Sequence, residues 1–66
     1  MNWQQVENGW NNVSQRFHER WGRLTEVDLE EIDGQRHELL KRIQKLYSLD
    51  RQKAEIDAED FVKTLH

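Results

Sequence analysis

Apolar side chains recur every three or four positions through the first third of the chain. This spacing keeps them on one stripe of an α-helix, while the intervening polar side chains face water. Asn8 and Gly9 interrupt the segment, because both residue types weaken a helix interior. The pattern predicts either one helix bent at this pair or two shorter helices, with the stripe continuing across the interruption. The stripe consists of Trp3, Val6, Trp10, Val13, Phe17 and Trp21.

A short second helix is predicted after this segment. Gly22 suits the left-handed position that follows a helix C-terminus. Thr25 is expected to be the N-cap of the next helix, with Asp28 three residues later completing a capping box. Leu29 and Ile32 would then form its buried side.

Two longer helices are predicted in the second half of the chain. Gly34 is expected to end the short helix, and Asp33 is expected to cap the helix over residues 35–47. Asp50 is the expected N-cap of the last helix. The apolar face of the third helix is Leu39, Leu40, Ile43, Leu46 and Tyr47, and that of the last is Ala54, Ala58, Phe61, Val62 and Leu65.

These stripes take up nearly all the apolar residues. With Leu24, which precedes the Thr25 cap, counted in the second segment, only Met1, Val27, Leu49 and Ile56 fall outside them. Hydrophobic residues form 35% of the chain and charged residues another 35%, with a mean hydropathy of -1.10, which is close to the composition of disordered chains. The regular placement favours a folded domain instead. The sequence predicts one all-α domain over residues 1–66, a small bundle of four short helices, or of five if the first segment divides.

Charged residues are grouped in blocks of alternating sign. Residues 24–34 carry five acidic and no basic side chains, and residues 35–53 carry six basic and two acidic ones. Residues 54–66 carry four acidic side chains and one basic side chain. We expect neighbouring helices to attract across their exposed faces, although each surface pair contributes only ~0–1 kcal/mol. The net charge of -3 gives no overall attraction to nucleic acid or to an anionic membrane.

The chain offers little for catalysis or metal binding. It has no cysteine, which excludes disulfides, thiolate metal sites and cysteine nucleophiles. His18, His37 and His66 lack the neighbouring ligands that a structural zinc site needs, and we expect them to face solvent. The carboxylates are expected on solvated faces, since a small bundle has little volume for the buried pocket that general acid catalysis requires. We therefore expect a protein that is not an enzyme and needs no metal or cofactor.

A candidate surface for an unknown protein partner contains Trp3, Val6 and Ile56. Trp3 lies at the frayed end of the first stripe, where an exposed indole beside Val6 would mark a contact surface. Ile56 lies outside the stripe of the last helix. We expect a monomer.

The basic third helix offers an alternative, a nucleic-acid-binding helical module. Its candidate phosphate contacts are Arg36, Lys41, Arg42 and Lys45. The acidic blocks on both sides of this helix would repel a duplex lying across the domain. A solvated basic face that complements its acidic neighbours is therefore the favoured interpretation, and nucleic acid is the less favoured partner.

No targeting signal is recognised in the sequence. The first residues lack a basic region followed by an apolar one, and the longest uninterrupted apolar run is two residues. Position 2 is not the glycine that myristoylation requires, and the chain has no cysteine to prenylate. We expect a cytoplasmic location and no membrane partner.

The sequence resembles the CsbD-like family of small bacterial stress-response proteins, in particular the YjbJ type, without gaps over nearly the whole chain. The resemblance implies a cytoplasmic protein whose level rises in the general stress response and for which no catalytic activity is assigned. It also implies four or five short helices arranged as two α-hairpins packed crosswise. The residues that carry it are Met1-Asn2-Trp3, Trp10, Trp21-Gly22-Arg23-Leu24-Thr25, Asp28, Ile32, Gly34, Arg36, Leu39, Ile43-Gln44, Tyr47, Ala54-Glu55 and Asp60.

The chain departs from the family pattern at four positions. Family members usually carry glycine where this chain has Gln15, Lys41 and Ser48, and tryptophan where it has Phe61. Because glycine weakens a helix interior, the replacements are expected to favour helix by up to ~1 kcal/mol per site. A flexible, glycine-rich protectant role is therefore less convincing for this chain.

Overall fold

Five α-helices make up the secondary structure of the computed structural model, which describes residues 1–65. The predicted all-α fold is confirmed, and the first segment forms two helices. Contacts join α1 to α2, α3 to α4, and α4 to α5. His66 lies outside the described residues. The helices are α1 (Trp3–Asn8), α2 (Trp10–Arg20), α3 (Glu26–Ile32), α4 (Arg36–Tyr47) and α5 (Arg51–Thr64).

A single residue, Gly9, separates α1 from α2. Its φ of -112° and ψ of 29° depart from helical values, yet its N–H still donates to the carbonyl oxygen of Gln5 at 2.9 Å. The helix axis therefore changes direction at Gly9, while the apolar side chains on both sides of it continue to face the core. Val6 on α1 and Trp10 and Phe17 on α2 all face the core, as the continuous stripe predicts.

The core is built around the ring of Phe17, which is fully buried. The Trp10 and Phe61 rings lie 5.0 Å and 4.9 Å from it, centroid to centroid. The rings of Trp3 and Trp21 lie 6.2 Å and 6.0 Å away. These separations fall in the range where aromatic pairs add about 0.5–1.5 kcal/mol to the free energy of burial. Aromatic rings from α1, α2 and α5 thus meet at one point.

Two of the predicted helix caps are confirmed. The Thr25 side chain accepts a hydrogen bond from the N–H of Asp28, whose carboxylate in turn accepts from the N–H of Thr25, so a complete capping box opens α3. The Asp50 carboxylate accepts from the N–H of Lys53 at 2.7 Å and opens α5. Both caps satisfy N–H groups that have no partner within the helix.

Two other turn predictions are wrong. Asp33 does not cap α4, because it adopts a left-handed conformation at φ 47° and ends α3 instead. Gln35 precedes α4 with no capping bond from its side chain. Gly22 lies outside the left-handed region, since the turn after α2 closes with a hydrogen bond from the N–H of Leu24 to the carbonyl oxygen of Trp21.

Gly34 seats the turn between α3 and α4 against α1. Its φ is +80°, and a Cβ added to it would lie 2.7 Å from the Cα atom of Glu7 and 3.4 Å from the Cβ atom of Trp10. The left-handed conformation and the close backbone approach both require glycine. The packing of α1 against the turn between α3 and α4 therefore depends on this glycine.

Ser48 corrects the expectation that all three glycine replacements favour helix. It is not inside a helix but is the C-cap of α4, at φ 55° and ψ 43°. A serine in this left-handed position is less favourable than glycine. Gln15 and Lys41 do lie inside α2 and α4, where the reasoning about helix propensity applies.

Candidate functional site

The three residues predicted to form an apolar contact surface do not lie on one surface. Val6 is fully buried, so its assignment to the surface is wrong; the helical phase that carries Trp10 into the core carries Val6 with it. Trp3 is half-buried against the core, and its Nε1–H donates to Oε1 of Glu59 on α5 at 2.9 Å. Ile56 is 49% exposed. Trp3 therefore attaches α1 to α5, and Ile56 is left as an isolated apolar side chain.

The most exposed large apolar residue is Val27 on α3, at 62%. The only sequence signal for it was its position outside the apolar stripes. Single exposed apolar side chains are common on soluble proteins. The exposure of Val27 and Ile56 is therefore not evidence for a docking site, although both side chains are suitable probes of the surface.

Among the predicted phosphate contacts, Arg42 is engaged with carboxylates. Its Nη1 donates to Oδ1 of Asp28 at 2.7 Å, and its Nη2 lies 3.3 Å from Oε2 of Glu31 and 3.7 Å from Oε2 of Glu38. The Arg42 side chain is only 20% exposed. An incoming phosphate would have to displace Asp28 before it reached this guanidinium.

The environment of Asp28 favours its charged form. The backbone N–H of Thr25 lowers the pKa of Asp28 below its usual value, and the Thr25 hydroxyl and Arg42 lower it further, while burial acts in the opposite direction. Asp28 therefore serves the α3 cap and the contact with α4 through the same carboxylate.

The other three predicted phosphate contacts have different surroundings. Arg36 turns toward α5, with its Nε 3.5 Å from Oε1 of Glu59 and its Nη2 3.8 Å from Oε2 of Glu55. Lys41 lies 3.5 Å from Oε1 of Glu38. Lys45 is exposed and forms no ion pair with residues 1–65. Basic side chains of α4 thus contact acidic side chains on both α3 and α5, as the alternating charge blocks predict.

The histidines differ in environment. His37 is exposed, as predicted. His18 is half-buried instead, and its Nδ1–H donates to the carbonyl oxygen of Leu24 at 2.7 Å. Within residues 1–65 no three His, Cys, Asp or Glu side chains are grouped as a metal site would need.

Several polar side chains without intramolecular partners lie between α2 and α3 and at the end of α1. A groove there has Trp10 and Leu29 among its lining residues, and an adjoining depression shares Trp10 with it. Across the described chain, the carboxylates that line them form no ion pair. The charged and polar lining residues are Glu7, Asn8, Asn11, Asn12, Ser14, Gln15, Glu26, Glu30 and Asp33.

Comparison with known proteins shows close relatives over almost the whole length. The chain is 43% identical over 61 residues to a UPF0337 protein of Protochlamydia amoebophila, covering 92% of each chain. It is 34% identical to a UPF0337 protein of Rhodopseudomonas palustris, covering 98% of each, and 31% identical to the UPF0337 protein YjbJ of Salmonella typhimurium, covering 92% of this chain and 87% of that one.

The chain belongs to the UPF0337 family. This is the CsbD-like family that the sequence resembles. No family model matches the chain, and no solved structure matches it. No helix of this UPF0337 protein within residues 1–65 is long and apolar enough to cross a membrane.

The residues that carry the family resemblance serve the fold in this UPF0337 protein. Trp21 and Leu24 are buried in the core, and Thr25 caps α3. Arg23 reaches the end of α4, where its backbone N–H donates to the hydroxyl of Tyr47 at 3.0 Å and its Nη1 donates to the carbonyl oxygen of Leu46 at 2.8 Å. The guanidinium carbon also lies 5.2 Å from the centre of the Tyr47 ring. This motif ties the loop between α2 and α3 to α4.

Proposed function

We propose that this UPF0337 protein is a bacterial stress-response protein that acts without catalysis, as a folded monomer in the cytoplasm, by contacting and protecting other macromolecules. Its resemblance to the CsbD-like stress-response proteins supports the physiological setting. The proposed mode of action rests on one observation, that the residues of the family motif serve the packing of the fold. Trp21, Arg23 and Leu24 hold helices together instead of lining a reactive cleft. The motif therefore specifies a scaffold, and the activity belongs to its surface.

The groove between α2 and α3 is the surface best suited to such contacts. Its carboxylates, including Glu26 and Glu30, form no ion pairs within the described chain, and its amides make no internal hydrogen bonds there. Polar groups without partners can exchange their water for hydrogen bonds to another molecule without first breaking an internal bond. The faces that α4 shares with α3 and with α5 differ, because Arg42 and Arg36 already contact carboxylates there.

The nucleic-acid-binding alternative receives less support. Phosphate binding releases counterions only where cations are free to meet the backbone, and Arg36, Lys41 and Arg42 lie beside carboxylates. Titration of a labelled duplex at low and high salt tests this alternative directly. Affinity that falls steeply with salt and disappears when these three residues and Lys45 are neutralised would replace our proposal.

A protection assay tests the proposed function. A dehydration-sensitive enzyme is dried and rehydrated with this protein, or with an equal mass of an inert protein of similar size, and its recovered activity is measured. We expect higher recovery with this protein. A double variant Glu26→Gln, Glu30→Gln should reduce the benefit, because it removes two of the three carboxylates that line the groove while leaving the core unchanged.

The control variant is Glu19→Gln, Asp60→Asn. It changes the net charge equally at exposed positions outside the groove, and neither side chain forms an ion pair with residues 1–65. Recovery equal to that with the inert protein would refute the protective role. Equal loss of benefit in both double variants would show that net charge, not the groove, is responsible.

A further inference from the structure

The Asn8–Gly9 peptide bond has a sequence that is prone to spontaneous deamidation, and it lies at the junction of two helices. An asparagine followed by glycine is the sequence most prone to deamidation, because glycine has no Cβ to hinder attack by its backbone nitrogen. Asn8 is exposed at the end of α1, and Gly9 occupies the joint with α2. The chain thus places its only asparagine–glycine pair at the junction between two helices.

The reaction needs a geometry that the folded joint does not provide. The backbone nitrogen of Gly9 must lose its proton and attack Cγ of Asn8. In the structure this N–H donates to the carbonyl oxygen of Gln5 at 2.9 Å. Asn8 is also helical, and in a helix the Cα–Cβ bond tilts toward the N-terminus, away from the nitrogen of the next residue. Attack therefore requires the end of α1 to open.

We propose that Asn8 is a latent modification site, which the folded α1–α2 joint keeps unreactive and which deamidates when α1 opens. The Gly9 nitrogen forms a bond to Cγ of Asn8 and closes a succinimide ring. The side-chain nitrogen leaves as ammonia, taking up the proton that the Gly9 nitrogen lost. Water then opens the ring at either carbonyl carbon, which gives aspartate or isoaspartate at position 8.

Opening of α1 is favoured over opening of the other helices by its few attachments. The helix has six residues, and only Val6 among them is fully buried. It is held by the Trp3 contact with Glu59 and by the close approach of its Glu7 backbone to Gly34. Ahead of the helix, the Met1 nitrogen donates to the carbonyl oxygens of Val62 and Leu65. Short segments with few buried contacts open at a lower free energy than the whole domain unfolds.

The products would prevent the joint from closing normally. Isoaspartate adds a methylene group to the backbone path directly after Glu7, whose Cα atom packs tightly against Gly34. Aspartate adds a negative charge to a depression that already contains Glu7 and Asp33. A reversible opening of α1 thereby becomes a permanent change, and modification at position 8 records how often the helix has opened.

The test compares the rate of deamidation in the folded and unfolded full-length protein. The protein is incubated in mildly alkaline buffer with and without denaturing urea. The replacement of ammonia by water is followed by intact mass, and isoaspartate is located by peptide mapping. We expect Asn8 to deamidate at least ~10-fold more slowly in buffer than in urea, which is the factor that a free energy of opening of about 1.4 kcal/mol provides. Asn11 and Asn12, which precede bulkier residues, serve as internal references.

Two variants separate opening from chemistry. Trp3→Ala removes the link to α5 and should raise the rate at Asn8 in buffer several-fold while leaving the rate in urea unchanged. Gln4→Ala, at an exposed position of the same helix, is the matched control and should change neither rate. Equal rates for the unmodified sequence in buffer and urea would overturn the proposal, as would the absence of product at Asn8 in urea. A Trp3→Ala rate equal to the parent rate in buffer would also overturn it.

Discussion

Substitution of Gly34 by alanine tests the contact that seats the α3–α4 turn on α1. The new Cβ would lie 2.7 Å from the Cα atom of Glu7 and 3.3 Å from its carbonyl oxygen. Both are backbone atoms, so no side-chain rotation can relieve the contact. Either α1 moves away or the turn abandons its left-handed conformation at φ +80°.

The magnitude follows from three contributions. A left-handed conformation costs a residue with a Cβ roughly 1–2 kcal/mol, and overpacking a tight contact costs about 1–3 kcal/mol. Against these, alanine restricts the unfolded chain and recovers about 0.4–1 kcal/mol. We expect a net loss of about 2–4 kcal/mol in the free energy of unfolding. For a domain of this size, that corresponds to a fall of ~10–30 °C in the melting temperature.

Thermal unfolding followed by circular dichroism, together with urea unfolding followed by tryptophan fluorescence, measures this loss. Gly22→Ala is the matched control, because Gly22 has no neighbouring heavy atom within 4 Å of an added Cβ and lies outside the left-handed region. We expect it to leave stability unchanged or to raise it by up to ~1 kcal/mol. Equal unfolding midpoints for the two variants would refute the argument from close approach.

Three further predictions concern the turns and ion pairs of α3 and α4. Ser48→Gly should raise the free energy of unfolding by about 1 kcal/mol, since position 48 is left-handed, and a lower urea midpoint would contradict this. Arg42→Met should destabilise the protein by about 1–3 kcal/mol because it leaves carboxylates without their cation, whereas Lys45→Met should change stability by less than ~0.5 kcal/mol. The lowered pKa of Asp28 contributes stability that is present above its unfolded pKa of about 3.9 and is lost as pH falls through the folded value. Stability measured from neutral to acid pH should therefore fall less steeply in Asp28→Asn than in the parent protein.

Features determined by local spacing could be predicted from the sequence. The helical stripe carried Trp10, Phe17 and Trp21 into the core because side-chain direction follows helix periodicity. The Thr25 and Asp50 caps were predictable because each side chain bonds to an N–H three residues away. The alternating charge blocks also predicted which helices attract each other.

Features determined by distant contacts could not be predicted in the same way. Nothing near Gly22 or Gly34 in the sequence distinguishes the two glycines. The left-handed conformation of Gly34 and the approach of Glu7 to it make the second glycine irreplaceable. The prediction of an exposed Val6 rests on a frayed Trp3, but the bond from Trp3 to Glu59 joins positions far apart in the chain. The predictions for Asp33 and Gly22 failed for a local reason, since the residue types at a turn do not fix its backbone conformation.

The location of the candidate surface follows from how the charged side chains are divided. On the faces that α4 shares with α3 and with α5, Arg42 and Arg36 each contact two or more carboxylates, so a partner that binds there must break existing ion pairs. Between α2 and α3, Glu26 and Glu30 have no such contacts with residues 1–65 and meet only solvent. Exposed ion pairs stabilise a fold by only ~0–1 kcal/mol each, yet they occupy donors and acceptors that recognition requires. We therefore expect the proposed contacts of this chain to form where it leaves its polar groups unpaired.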